Sequence, residues 1–141
     1  MVRSSEADPK GFLQDITHGT RHHILADEPR AYGGTNQGLS PYGLMSAGLA
    51  ACTSMTIRMY ARRKKWPLAH VSVDVSHNKV HAQDADMGNG DKIDEWKRRI
   101  SLSGSLDDAQ RTRLLEIADR CPVHRSLEHS SNVVTELAPS T

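Results

Sequence analysis

Apolar residues run through this chain in two periods, and the switch between them outlines the fold. From Pro41 to Cys52 nearly every position is apolar or small (Pro41-Tyr42-Gly43-Leu44-Met45-Ser46-Ala47-Gly48-Leu49-Ala50-Ala51-Cys52). That pattern predicts a helix from about Pro41 to Lys64, buried all round in its first half. Ser40 supplies an N-cap, and Pro41 suits the first helical position. The run Arg62-Arg63-Lys64-Lys65 complements the dipole at the other end, and Trp66-Pro67 closes the helix. Val71 to His77 alternates with period two, as a half-buried strand does, and Trp96 to Leu102 predicts a second strand with Lys97, Arg99 and Ser101 on its polar face. Gly11 to Ile16 and Arg21 to Ala26 predict a hairpin across Thr17-His18-Gly19-Thr20.

Glu28 to Pro41 reads as a loop, and Met87-Gly88-Asn89-Gly90-Asp91 as a turn. Asp107 opens a helix with Ala109, Leu114, Leu115, Ile117 and Ala118 as its apolar set, broken at Cys121-Pro122. A short helix from Pro122 to His129 and a last strand over Val133 to Leu137 complete the prediction. Strands, long helix, strands, helices and strand in that order predict an α+β fold with a mostly antiparallel sheet. Residues 1–9 carry no apolar run and are expected to be a disordered or loosely held N-terminus.

Length fits a single domain over residues 1–141, at about 100–200 residues per domain. Aromatic residues are only 4% of the chain, so the core must be built from Leu, Ile, Val, Met and Ala. A thin core with many small residues points to apolar surface buried against another subunit. The net charge of +1 gives no global field for nucleic acid or an anionic membrane. The stretch from Leu44 to Ala51 is far short of the roughly 20 residues that span a bilayer. Two cysteines and an N-terminus without an apolar h-region do not describe a secreted disulfide framework. The expectation is a cytoplasmic protein with reduced thiols, and with neither nucleic acid nor membrane as a partner.

Chemistry concentrates at those two cysteines. Cys52 lies in the small-residue helix, and Cys121 precedes Pro122. Each has a plain reading as a packing residue, since buried cysteines behave as small hydrophobes. The pair also suits peroxide chemistry, in which one thiol attacks the O–O bond and the other resolves the sulfenic acid as a disulfide. A thiol in apolar surroundings is inert unless a cation stabilises its thiolate, so the second reading demands a nearby Arg or Lys. The eight histidines include His124 in Cys121-Pro122-Val123-His124, half of a metal knuckle without a second half. Gly33 to Gly38 does not match a nucleotide-binding glycine loop. Neither a metal nor an organic cofactor is expected.

Around the two cysteines the chain resembles the OsmC/Ohr family of thiol-dependent hydroperoxide reductases. The residues that carry the resemblance are Ser40-Pro41-Tyr42 through Ala50-Ala51-Cys52-Thr53, and Arg58-Met59-Tyr60-Ala61 with Trp66-Pro67-Leu68. Ile117 through Arg125 and Ala26-Asp27-Glu28-Pro29 add to it, and the resemblance covers Gly11 to Leu137. It implies antiparallel sheets wrapped around long central helices in an intertwined homodimer, with the active sites at the dimer interface. It implies Cys52 as peroxidatic thiol, Cys121 as resolving thiol, an organic hydroperoxide as substrate and an external thiol or dithiol as reductant. The family's Arg, which lowers the thiolate pKa, is expected at Arg21, with Arg30 as the alternative. One departure is visible: the Glu that holds this Arg, just after the helix-start Pro, is replaced by Tyr42 and Gly43. That departure supports a second expectation, a catalytically weakened dimer that binds a small apolar ligand.

Overall fold

The computed structural model describes residues 1–81 and 92–139. The predicted turn at Met87 to Asp91 lies outside the described residues. The polypeptide forms two compact units, Met1–Ala50 with Asp74–Arg99, and Ala51–Val73 with Ile100–Thr141. Three long elements run from one unit into the other: α1 (Pro41–Lys64), β4 (Leu68–His81) and β5 (Lys92–Gly104).

The first unit holds a three-stranded antiparallel sheet in the order β1 (Val2–Glu6), β2 (Gln14–His18) and β3 (His22–Ala26). Val2 faces His18, and Ile16 faces Ile24. Gly19 turns the hairpin with φ of 59°, a left-handed conformation that a Cβ resists. After β3 the backbone of Asp27 donates to Leu39 O at 3.1 Å. The intervening loop, which includes a short 3-10 turn at Arg30–Tyr32, is organised by one carboxylate. Asp27 is buried and accepts from Glu28 N (2.8 Å), Thr35 N (3.2 Å), Thr35 Oγ1 (2.6 Å) and Gln37 N (3.2 Å). The Thr35 hydroxyl above all holds this carboxyl below its ordinary value, against the opposing effect of burial.

The α1 boundaries agree with the sequence prediction for physical reasons that the structure shows. Ser40 Oγ accepts from Gly43 N at 3.1 Å, which caps the first turn. Arg62, Arg63 and Lys64 occupy the last turn. In the second unit α1 packs its Ile57, Tyr60 and Ala61 with Leu68 of β4 and with Leu114, Ile117 and Ala118 of α2 (Asp108–Ala118). Burying each of the Ile and Leu side chains in this set stabilises by about 1.5–3 kcal/mol. Asp107 caps α2 with a full capping box, its side chain accepting from Gln110 N while Gln110 reaches back to Asp107 N. Two guanidinium groups tie the helices to strand ends. Arg58 donates to Leu68 O (2.6 Å) and Ala69 O (3.3 Å), and Arg111 to Leu102 O (2.9 Å) and Gly104 O (3.3 Å). At Gly104, with φ of 128°, a Cβ would run into the Pro67 carbonyl.

Three expectations need correction. The N-terminal residues are not loose, because Val2–Glu6 form β1, held to β2 by backbone pairing that no apolar alternation announces. The first half of α1 is not buried all round: Met45 is exposed, and in the second half Met55 and Met59 are 70% and 67% exposed. Val133 to Leu137 form no strand and stand exposed, Leu137 at 97%. β-branched residues favour a strand only where a neighbouring strand takes up their hydrogen bonds. β4 and β5, paired as a two-stranded sheet, extend beyond the alternating stretches predicted for them.

Candidate active site

Cys52 sits midway along α1, and Cys121 is the N-cap of α3 (Pro122–Glu128). Both belong to the second unit. The residues between α2 and α3 turn by short-range hydrogen bonds, Arg120 N to Ile117 O (2.9 Å) and Cys121 N to Ala118 O (3.3 Å). Pro122 then takes the first position of α3, where it lacks no needed N–H. Buried Ile117 and Ala118 anchor this corner in the core, which fixes where Cys121 stands.

The two thiols are reduced and share a hydrogen bond. Cys121 is fully buried and Cys52 half-buried. Their surroundings differ. Burial pushes the Cys52 thiol up from its ordinary value, and the neighbouring Cys121 adds to that. The Val123 N–H and the Thr56 hydroxyl pull the other way and are outweighed. For Cys121, burial is again the largest influence and acts upward. Here donors prevail together: Cys52, the His124 N–H, the Thr53 hydroxyl and the Val123 N–H hold it below the ordinary value. Buried sulfur surrounded by donors stabilises an anion, whereas buried sulfur facing an anion does not.

Cys52 and Cys121, the two cysteines singled out in the sequence, are brought together by the fold. The sequence reading missed the hydroxyls. Thr53 and Thr56 lie one and four residues beyond Cys52, and the second spacing puts Thr56 on the same helix face as Cys52. That spacing was the available signal. The backbone donors at Val123 and His124 leave no trace in side-chain identity.

Arg21 lies in the exposed turn between β2 and β3, and Arg30 begins the 3-10 turn, also exposed. Both belong to the first unit, while the sulfur partners named above are residues of the second. Tyr42, at the position of the missing carboxylate, is engaged otherwise. Its ring stacks on His77 at 4.2 Å and 7°, and Lys79 Nζ lies 5.5 Å from its centroid. His77 Nε2 and Lys79 Nζ both meet Asp94 Oδ1, at 2.8 and 2.9 Å. His124, the half-knuckle histidine, pairs with Glu128 at 3.0 Å and lies 4.0 Å from Asp119. Among the described residues no group of three or more His, Cys, Asp or Glu side chains is placed to hold a metal. Among them also, no helix is long and apolar enough to cross a membrane.

The family model described as OsmC-like protein matches residues 34–136. The chain belongs to the OsmC-like protein family. Solved structures agree on the OsmC-like fold. A putative osmotic stress induced and detoxification response protein from Psychrobacter arcticus superposes with a TM-score of 0.72 at 22% identity, covering 89% of this chain and 85% of that one. An OsmC-like protein from Mycoplasma pneumoniae gives 0.70 at 18% identity, over 91% and 86% of the two chains. An organic hydroperoxide resistance protein from Legionella pneumophila gives 0.64 at 21%, over 89% and 88%. No curated protein matches this sequence. Membership of the OsmC-like family supports a redox or stress role for the chain.

Proposed function

We propose that this protein reduces organic hydroperoxides through the Cys52–Cys121 pair. The observation that carries the reading is the hydrogen-bonded pair of reduced thiols, one half-buried and one enclosed. Cys52, the sulfur with access to solvent, attacks the distal peroxide oxygen and becomes a sulfenic acid. Cys121 condenses with it to a disulfide and releases water. An external thiol or dithiol then restores both thiols. Several structural relatives are organic hydroperoxide resistance proteins, those from Legionella pneumophila and Elizabethkingia anophelis among them, which supports the substrate class.

A homodimer belongs to this proposal. Met45, Gly48, Cys52, Met55 and Met59 follow one another along α1 at three- and four-residue steps, the seam spacing of paired helices. The space over Gly48 is open, and the three methionines are exposed. A second copy laid along this seam covers the methionines and completes the surroundings of Cys52.

The test is peroxide consumption with a dithiol reductant. Cys52→Ser should abolish turnover, and Cys121→Ser should stop after one equivalent. Normal consumption by Cys52→Ser would defeat the proposal. Tyr42 in its stack with His77 favours a second reading, a dimer that binds a small apolar ligand over unreactive thiols. Two thiols that survive excess peroxide in the wild-type protein would select it.

A further inference from the structure

The β2–β3 hairpin carries three of the chain's eight histidines, His18, His22 and His23, within six residues. Strand alternation divides them between two faces. His23 lies opposite Thr17, and its Nε2 meets Asp15 Oδ1 at 2.9 Å. His18 and His22 lie directly opposite one another on the other face, with ring centroids 6.2 Å apart and planes inclined by 35°. Both are exposed. Among the described residues neither ring makes a hydrogen bond or an ion pair, whereas His77 is held by Asp94 and His124 by Glu128.

The backbone beneath the pair is fixed. β2 is the central strand, paired with β1 as far as Val2 opposite His18 and with β3 as far as His22. The left-handed Gly19 closes the short loop between the two histidines. Two imidazoles therefore stand side by side on one face with their ring nitrogens uncommitted, and little backbone ordering is left for a ligand to impose.

We infer that His18 and His22 form a two-imidazole site for a borderline divalent metal ion such as Zn(II), with water in the remaining positions. A ring nitrogen binds Zn(II) at about 2.0–2.1 Å, which puts the ion about 3.2 Å from the ring centre. Two rings on one ion then stand about 5.2 Å apart at the tetrahedral angle, and at most about 6.4 Å apart. The observed 6.2 Å lies inside that limit. Closing to the tetrahedral angle takes a rotation of two exposed side chains whose χ2 torsion is broad. The donor set selects the ion. Imidazole suits zinc, while magnesium and calcium require oxygen. On β2 and β3 this face continues as Ile16, Ile24, Gln14 and Ala26, with no carboxylate. Two protein ligands make an open site, weaker than a closed structural zinc centre. The second imidazole acts on an ion already held by the first, which tightens binding beyond that of a lone ring.

The experiment titrates Zn(II) into the reduced full-length protein and follows the histidine ring signals by NMR, at about pH 7.5, above the ordinary imidazole value of about 6.5. The His18 and His22 rings should shift together with one midpoint. His18→Gln should weaken binding at His22 tenfold or more, and His22→Gln should do the same at His18. His23→Gln, on the opposite face, should leave the midpoint unchanged. Zinc taken up by the thiols alone would leave both rings unmoved and overturn the inference. So would separate midpoints for the two rings, or a His22 midpoint that His18→Gln does not change. Peroxide plays no part in this titration, so its outcome is independent of the proposed function.

Discussion

Leu114 is the residue through which the core holds the cysteine corner, and its truncation gives a quantitative test. It is 0% exposed and packs with Ile57, Tyr60, Ala61, Leu68, Ile117 and Ala118, while its neighbour Leu115 is 58% exposed. Leu→Ala at a site of this kind costs about 2–5 kcal/mol, from lost transfer energy plus the cavity left behind. Unfolding entropy of ~2.1 cal/mol/K per residue, over 141 residues, is about 0.3 kcal/mol/K. A loss of ~3 kcal/mol therefore lowers Tm by about 10 °C. Leu115→Ala removes the same atoms from an exposed site and should shift Tm by no more than ~2 °C. Helical circular dichroism on heating, at one protein concentration, measures both. Because Ile117 and Ala118 continue this core up to the Cys121 turn, Leu114→Ala should also speed alkylation of buried Cys121 through local opening. Equal shifts in the two variants would refute the placement of α2, and with it the argument for how Cys121 is held.

Other outcomes follow from single contacts. Asp107→Ala removes the capping box of α2 and should cost ~1 kcal/mol, read as a fall in Tm of about 3 °C. Gly104→Ala meets both a positive φ and the Pro67 carbonyl, so it should yield little native protein at 37 °C; an unchanged melting curve would contradict the geometry. The hydrogen bonds of Lys79, then of His77, hold Asp94 below the ordinary carboxylate range. Its folded value is depressed, so its contribution is present above about pH 4 and lost as pH falls further. Asp94→Asn should accordingly flatten the acid limb of stability below about pH 4, and an unaltered limb would remove Asp94 from that role. Met55→Lys places charge on the seam of α1 and should convert a dimer to monomer in sedimentation equilibrium.

Elements with local punctuation were legible in the sequence. Ser40-Pro41 and the basic run fix both ends of α1, and Asp107 fixes the start of α2, because caps act on the backbone of their own turn. β1 was not legible, since Val2–Glu6 is a strand by virtue of β2 alongside it and not by its own side chains. The reverse holds at Val133 to Leu137, where strand-forming residues have no partner strand among the described residues. Apolar patterning announced α1 and also overstated its burial. A pattern records which face avoids water, and it does not record what covers that face. The two cysteines stood out through their motifs, whereas their proximity depends on how α2 returns to α1 and was not legible. The buried carboxylate of Asp27 and the hydroxyls at Thr53 and Thr56 were not, because each gains meaning only from a neighbour brought in by folding.

The account turns on whether the two thiols react as a unit. One equivalent of an organic hydroperoxide, followed by free-thiol counting and mass spectrometry of non-reduced peptides, tests this directly. The account predicts rapid loss of both thiols and a peptide pair linked through Cys52 and Cys121. Two free thiols after excess peroxide, or oxidation of Cys52 that never reaches Cys121, would contradict it.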